Sequence, residues 1–334
     1  MLKTFIAIAL VSAIGYQVKA QTVNYHILRK DIIGGTGGWD YININPTNHQ
    51  IYVSHGNRIT VLNSLTGDSV GVVSPTLGVH GVTFINALGK GYTSNGRANT
   101  VSVFDLKTNK ILSEIAVGQN PDAIFYDDFS KKIFTCNGRS SDASVVDPKT
   151  EKVVATIPLG GKPETAVSDG KGNIFVNIED KSEVVQFDAK TYTIKNRWKL
   201  GKGEEPTGLE IDRSTNRLFV GCGNKWMVVL DAKSGKILSQ LAIGEGCDGI
   251  AFDQTKKLVF ASNGEGTVTI VKELNANKFE VVQTVVSAVR ARTITVDQES
   301  HKVYLPTAEF AKPTSTNARP ALIPGTFYVL EIGE

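Results

Sequence analysis

The chain has little cysteine, three residues in 334, and little bias of charge, with 36 basic and 33 acidic side chains. Three thiols cannot all pair within one chain, so a disulfide-dense scaffold is excluded, and no Cys-x-x-Cys pair is present for redox or metal chemistry. A formal net charge of +3 gives bulk electrostatics no strong hold on a polyanion, which argues against a nucleic-acid protein. After Ala20 there is no apolar run long enough to cross a bilayer and no helical stripe of apolar residues. There is also no Gly-x-Ser-x-Gly elbow and no phosphate loop. What remains is a chain of short strands and tight turns.

Those strands repeat. Glycines that close a strand recur at Gly34, Gly78, Gly118, Gly160, Gly201 and Gly244, with spacings of 44, 40, 42, 41 and 43 residues. The most legible unit, Gln119 to Gly160, reads as four strands: Ala123 to Asp127, Lys132 to Asn137, Ala143 to Asp147 and Lys152 to Leu159. The third strand ends in register on Asp105, Asp147, Asp188 and Asp231, each followed by turn residues. A carboxylate that accepts from the turn's own N–H groups explains that acid without recourse to function. Second strands recur as Tyr52-Val53-Ser54-His55, Tyr92-Thr93-Ser94-Asn95, Phe134-Thr135-Cys136-Asn137, Phe219-Val220-Gly221-Cys222 and Phe260-Ala261-Ser262-Asn263. The Asn-Gly pairs that follow read as hairpin turns, in which both residues tolerate positive φ.

A period near 40 with four strands per unit predicts propeller blades rather than solenoid coils. Six units run from Trp39 to about Ser287, and a seventh runs from Arg292 to Glu331 without a fourth strand of its own. The stretch Tyr25 to Gly34 is a fourth strand with nothing before it. Pairing it with the C-terminal strand closes a seven-bladed ring and removes two exposed edges. The expectation is an all-β, seven-bladed propeller formed by residues 21–334 as one domain.

Ahead of it, Lys3, the apolar run Phe5 to Gly15, and small residues at Val18 and Ala20 have the pattern of a cleaved signal peptide over residues 1–20. Removal of Lys3 and Lys19 with it lowers the net charge from +3 to +1. A periplasmic or secreted protein meets an oxidising compartment. There Cys222 and Cys247, on the same rim of adjacent blades, are candidates for a disulfide, and Cys136 reads as a small buried residue.

The period and the Tyr-Val-x-Asn-like second strands resemble the YVTN-type β-propeller repeat family, in particular its exported seven-bladed members, over essentially all of the chain after Ala20. The resemblance implies the fold and brings no catalytic signature with it. Fold does not specify function, so the site must be sought in the loops.

In a propeller, the loops leading into each innermost strand and those between the second and third strands share one face around the channel mouth. They place Asp40, His80, Asp122, Glu164, Asp248 and Arg292 in the first set, and His55, Arg58, Arg97 and Arg139 in the second. Guanidinium forks suit carboxylate or phosphate, and the alternative is that each arginine pairs with Asp40, Asp122, Glu164 or Asp248. His55 and His80 with neighbouring carboxylates suit a divalent metal or an oriented general base. Lactonase-type propellers hold calcium at the mouth with Glu, Asn and Asp. Asn95, Asn137 and Asn263 with Asp122 or Asp248 imitate that set, although the loop Gly37 to Asp40 lacks the lactonases' Glu. Between the second and third strands of blade seven the turn is replaced by a long loop, Ala308 to Gly325. It is expected to fold over the mouth and bring Phe310 and Arg319 to it.

The reading is an exported, monomeric binding protein without enzymatic activity, presenting a polar rim to a small anionic ligand, a peptide or a protein partner. The alternatives are a metal-dependent, lactonase-like hydrolase or lyase, and a single-strand nucleic-acid binder, which would need aromatic platforms beside its arginines.

Overall fold

A computed structural model of the chain describes residues 23–312 and 320–334. The signal-peptide segment and Arg319 lie outside the described residues.

Seven four-stranded antiparallel sheets form the molecule. Blade one comprises Ile42–Asn45, Gln50–His55, Arg58–Asn63 and Ser69–Val73, and the same up-and-down order recurs through blade six, Cys247–Asp253 to Lys278–Val286. Blade seven takes Thr295–Val296, Val303–Thr307 and Tyr328–Gly333 from the C-terminal end and His26–Ile32 from the beginning. The closing pair runs in register from His26 opposite Gly333 to Ile32 opposite Tyr328, with one irregularity between Ile27 and Arg29. Helical structure among the described residues is limited to two 3-10 turns, Asn86–Leu88 and Glu179–Lys181.

A single twisted sheet cannot bury both faces, and the sequence answers this with apolar residues on both sides of every middle strand. The result is a hydrophobic core between each pair of neighbouring blades. Phe134 of blade three meets Phe187 of blade four in one core, and Phe219 of blade five meets Phe252 and Val259 of blade six in another. Ring closure adds the core in which Ile51 and Val53 of blade one pack on Tyr304, Phe327 and Val329 of blade seven. Outer strands face water, as the largely exposed Ile194–Lys199 shows.

The acid that ends each third strand does what its position predicts. Asp105 accepts from the backbone N–H groups of Lys107 and Thr108 at 3.1 and 2.7 Å, and Asp188 from those of Lys190 and Thr191, both at 2.9 Å. The Asn-Gly pairs do not behave as expected. Asn95, Asn137 and Asn263 keep extended backbones, and the left-handed residue of each turn comes later, at Asn99, Ser141 and Gly266. The asparagines are buried because each staples the second strand to the third. Asn137 Nδ2 donates to Asp142 and Ser144 at 2.7 and 2.9 Å, and Asn263 Nδ2 donates to Thr267 and Thr269, both at 3.0 Å. The closing glycines at 118 and 244 make room for this staple, since a Cβ there would lie 2.4 and 2.6 Å from the neighbouring Asn137 and Asn263.

Cys222 and Cys247 are both buried and both free, so the candidate disulfide is not formed. Each thiol is enclosed by packing, Cys222 against Gly203 and Cys247 against Gly221 of the preceding blade.

Candidate functional site

One backbone hydrogen bond, repeated around the ring, gathers the two loop sets on a common face. The residue after the second strand donates to a carbonyl in the loop leading into the first: Gly56 to Gly38 (2.8 Å), Gly96 to Gly78 (2.9 Å), Gly138 to Asn120 (3.0 Å), Glu179 to Lys162 (2.9 Å), Gly223 to Glu205 (3.0 Å) and Gly264 to Gly246 (2.8 Å). This ladder holds the side chains of both loops at fixed heights around the channel mouth.

Beneath the mouth runs the axial channel, a space of about 170 Å³ lined by the inner strands of all seven blades, including Ile42, Val82, Phe125, Thr165, Glu210, Ile250 and Thr295. Tyr41 spans it, its hydroxyl 3.3 Å from Thr165 Oγ1 of blade four. The mouth is therefore a cup floored by a tyrosine.

Two lobes open above that floor and share Gly38, Trp39 and Arg292. The first, of about 430 Å³, lies over blades one to three and is lined by Asp40, His80, Arg97, Asn120 and Arg139. The second, of about 560 Å³, lies over blades five to seven, with Thr207, Asp248, Arg290, Phe310 and Leu322 in its wall. Of the loop from Ala308 to Gly325, Phe310 and Leu322 line the second lobe. Phe310 and Leu322 face each other in a short antiparallel bridge, Phe310 packs 6.0 Å from the Trp39 ring, and Arg290 lies 5.0 Å over Phe310.

Charge in the cup is layered. Low in it, His80 Nδ1 lies 2.6 Å from Asp40 Oδ2 and 3.6 Å from Asp122 Oδ1. Lys162 pairs with Glu164 at 2.7 Å and with Glu179, and Arg292 pairs with Asp248 at 2.7 Å. Burial, and then the charge of Asp40, push the Asp122 carboxyl well above the usual carboxylate range. Burial and the Asp122 charge do the same to Glu164. Burial opposes the charge of His80, but the hydrogen bond it donates to Asp40 and the field of Asp122 outweigh it and raise its pKa. The lower layer thus carries more acids than bases.

The upper layer is basic. Arg97 and Arg139 are exposed at the lip of the first lobe, and no acidic partner is found for either among the described residues. The arginines therefore divide. Arg292 pairs with an acid of the mouth, whereas Arg97 and Arg139 have no acidic partner among the described residues.

His55 and Arg58 stand apart from this assembly. His55 is 1 % exposed, stacks 4.3 Å from the Phe327 ring, and is covered by Gly35 and Gly37 of the crossing loop. Burial and then Arg58, 3.4 Å away, push its imidazole down to about 4, so it is neutral. The pairing of His55 with His80 anticipated from the strand pattern does not occur. Asn95, Asn137 and Asn263 are likewise turned into their blades and are not available as the lactonase-like calcium set. Sequence reasoning passed over Lys162 and Tyr41. The signal for both was position, since each adjoins a rim acid in a loop leading to an inner strand.

No protein-family model matches the chain, and no curated protein matches it in sequence. Among solved structures, a chain of Kuenenia stuttgartiensis hydrazine synthase is similar, with a TM-score of 0.71 at 14 % identity, over 93 % of this chain and 99 % of that one. At that identity the likeness shows the fold alone. The seven-bladed propeller stands on it and on the sheet topology together.

Proposed function

We propose that the protein is an exported, monomeric binding protein of the YVTN-type repeat kind, and that the first lobe of its channel mouth takes a small ligand through a carboxylate or phosphate group. The observation that carries this is the placement of Arg97 and Arg139. They come from successive blades, line one concavity of about 430 Å³, and have no acid to satisfy them among the described residues. A planar fork of donors held without a partner is suited to a bidentate anion. Trp39 and Arg292 form the back wall of the same lobe and limit the ligand to small-molecule size. The acids below oppose a long polyanion, which weighs against a nucleic-acid strand. Export is supported by the apolar run from Phe5 to Gly15 and the small residues at Val18 and Ala20.

Calorimetric titration with inorganic phosphate and with citrate tests the reading. Saturable binding of one equivalent is expected. The double variant Arg97→Ala/Arg139→Ala should weaken it by about 2 kcal/mol or more, the loss of charge-assisted hydrogen bonds, with an unchanged thermal midpoint. Equal binding by the variant, or none by the wild type, would remove the proposal.

A further inference from the structure

We infer that Asp40, His80 and Asp122 form a site for one first-row divalent cation, of the Zn²⁺ or Mn²⁺ kind. Each of the three offers a donor atom, and all three donors lie within 4.8 Å of one another. They come from the loops leading into the first strands of blades one, two and three, so three separate sheets aim them at one point.

The distances fit such an ion. Donors bound at about 2.1 Å in tetrahedral geometry stand about 3.4 Å apart. His80 Nδ1 lies 3.6 Å from Asp122 Oδ1, near that separation, and 2.6 Å from Asp40 Oδ2, a hydrogen bond that a bound ion would replace.

A second observation points to a ligand. Asp122 is 8 % exposed, and its Oδ1 is buried without any hydrogen-bond donor. A buried carboxylate oxygen left without a partner is costly, and a cation seated between it and His80 supplies what the protein does not. The surroundings keep the three side chains in place. The Asp40 N–H donates to Ser54 Oγ at 2.7 Å, the Asp122 carbonyl accepts from Ser94 Oγ, and the far edge of the His80 ring rests on Gly96, where a Cβ would come within 2.5 Å of Nε2.

The charge facing the site permits a dication. Of the cations facing it, Arg292 is engaged by Asp248 at 2.7 Å and by the Trp39 carbonyl at 3.3 Å, and Lys162 by Glu164 and Glu179. One imidazole nitrogen with two carboxylates is a mixed donor set, which suits first-row metals better than the all-oxygen preference of calcium or magnesium. Three protein ligands leave a position open, and Asp40 and His80 line the first lobe, so that position faces the lobe.

The alternative is that His80 is an ion-paired strut joining three blades and binds nothing. Titration of tag-free, chelator-treated protein with Mn²⁺ and with Zn²⁺ alone, by calorimetry and for Mn²⁺ by electron paramagnetic resonance, separates the two. One equivalent should bind and raise the thermal midpoint. Asp122→Asn and His80→Gln, both near-isosteric, should each weaken binding about tenfold or more and abolish the midpoint rise, while Lys152→Ala, on the outer strand of blade three, binds metal as the wild type does. Absence of metal binding in the wild type would overturn the assignment, as would wild-type affinity in either folded variant. Phosphate titration of the chelated protein is a separate readout, so failure of the metal site and failure of the anion lobe are told apart.

Discussion

On the inner strand of blade five, Glu210 lines the axial channel. Its exposed surface is that of the channel wall, enclosed by the ring, so the charge is poorly hydrated. Burial pushes its pKa up to about 7, against an ordinary value of 4.5. The folded state therefore holds this proton more tightly than the unfolded chain does. Stability is undiminished below pH about 4.5, falls as pH rises through the interval to about 7, and stays lowered above it. Glu210→Gln removes the penalty. Urea denaturation should show the variant about 2 kcal/mol more stable than the wild type at pH 8 and equal to it at pH 4. A pH-independent difference would mean that Glu210 is solvated or paired. The single residue is also where the sequence was least legible. The repeated asparagine was visible as a letter, but whether it turns outward to the rim or inward to a third strand depends on a hydroxyl three positions past the turn, as Ser144 and Thr269 show. His55 likewise lies in the strand position expected of a rim residue, and the crossing loop at Gly35 and Gly37 buries it.

Among the elements, the strand His26–Ile32 has the largest consequence, because it alone covers the edge of Tyr328–Gly333. It is fastened by charge as well as by its ladder. Arg29 lies 2.5 Å from Asp31 and 2.6 Å from Glu331, and Glu331, 2 % exposed, is also held by Lys302 at 2.6 Å. Removal of one member of a buried ion network leaves a charge without its partner. Arg29→Met should cost about 2–3 kcal/mol in urea denaturation, and adding Glu331→Gln should restore part of it. A loss below about 0.5 kcal/mol, the level of an exposed pair, would show the fastening to be superficial. This strand was legible in the sequence, since a fourth strand preceding all others has one place to pair. The loop from Ala308 to Gly325 was legible in its length and in Phe310, but its bridge to Leu322 rests on pairing that no period predicts.

At the scale of the molecule, closure and site are one argument. Seven cores between blades fix the sheets, the sheets fix the loops through the repeated hydrogen bond at the rim, and the rim sets paired acids beside arginines that have no acidic partner among the described residues. The ring could be read from periodicity because every blade makes the same demands on its residues. The pairing of charges could not, because it depends on which acid each base reaches in three dimensions: His80 meets Asp40 and Lys162 meets Glu164, while Arg97 and Arg139 have no acidic partner among the described residues. The most direct test of that division is a crystal structure of the protein soaked with tungstate, a heavy tetrahedral oxyanion, read by its anomalous signal. The expected result is a peak in the first lobe within hydrogen-bond distance of both Arg97 and Arg139. Peaks confined to other surfaces, with both guanidinium groups turned to solvent, would contradict the account.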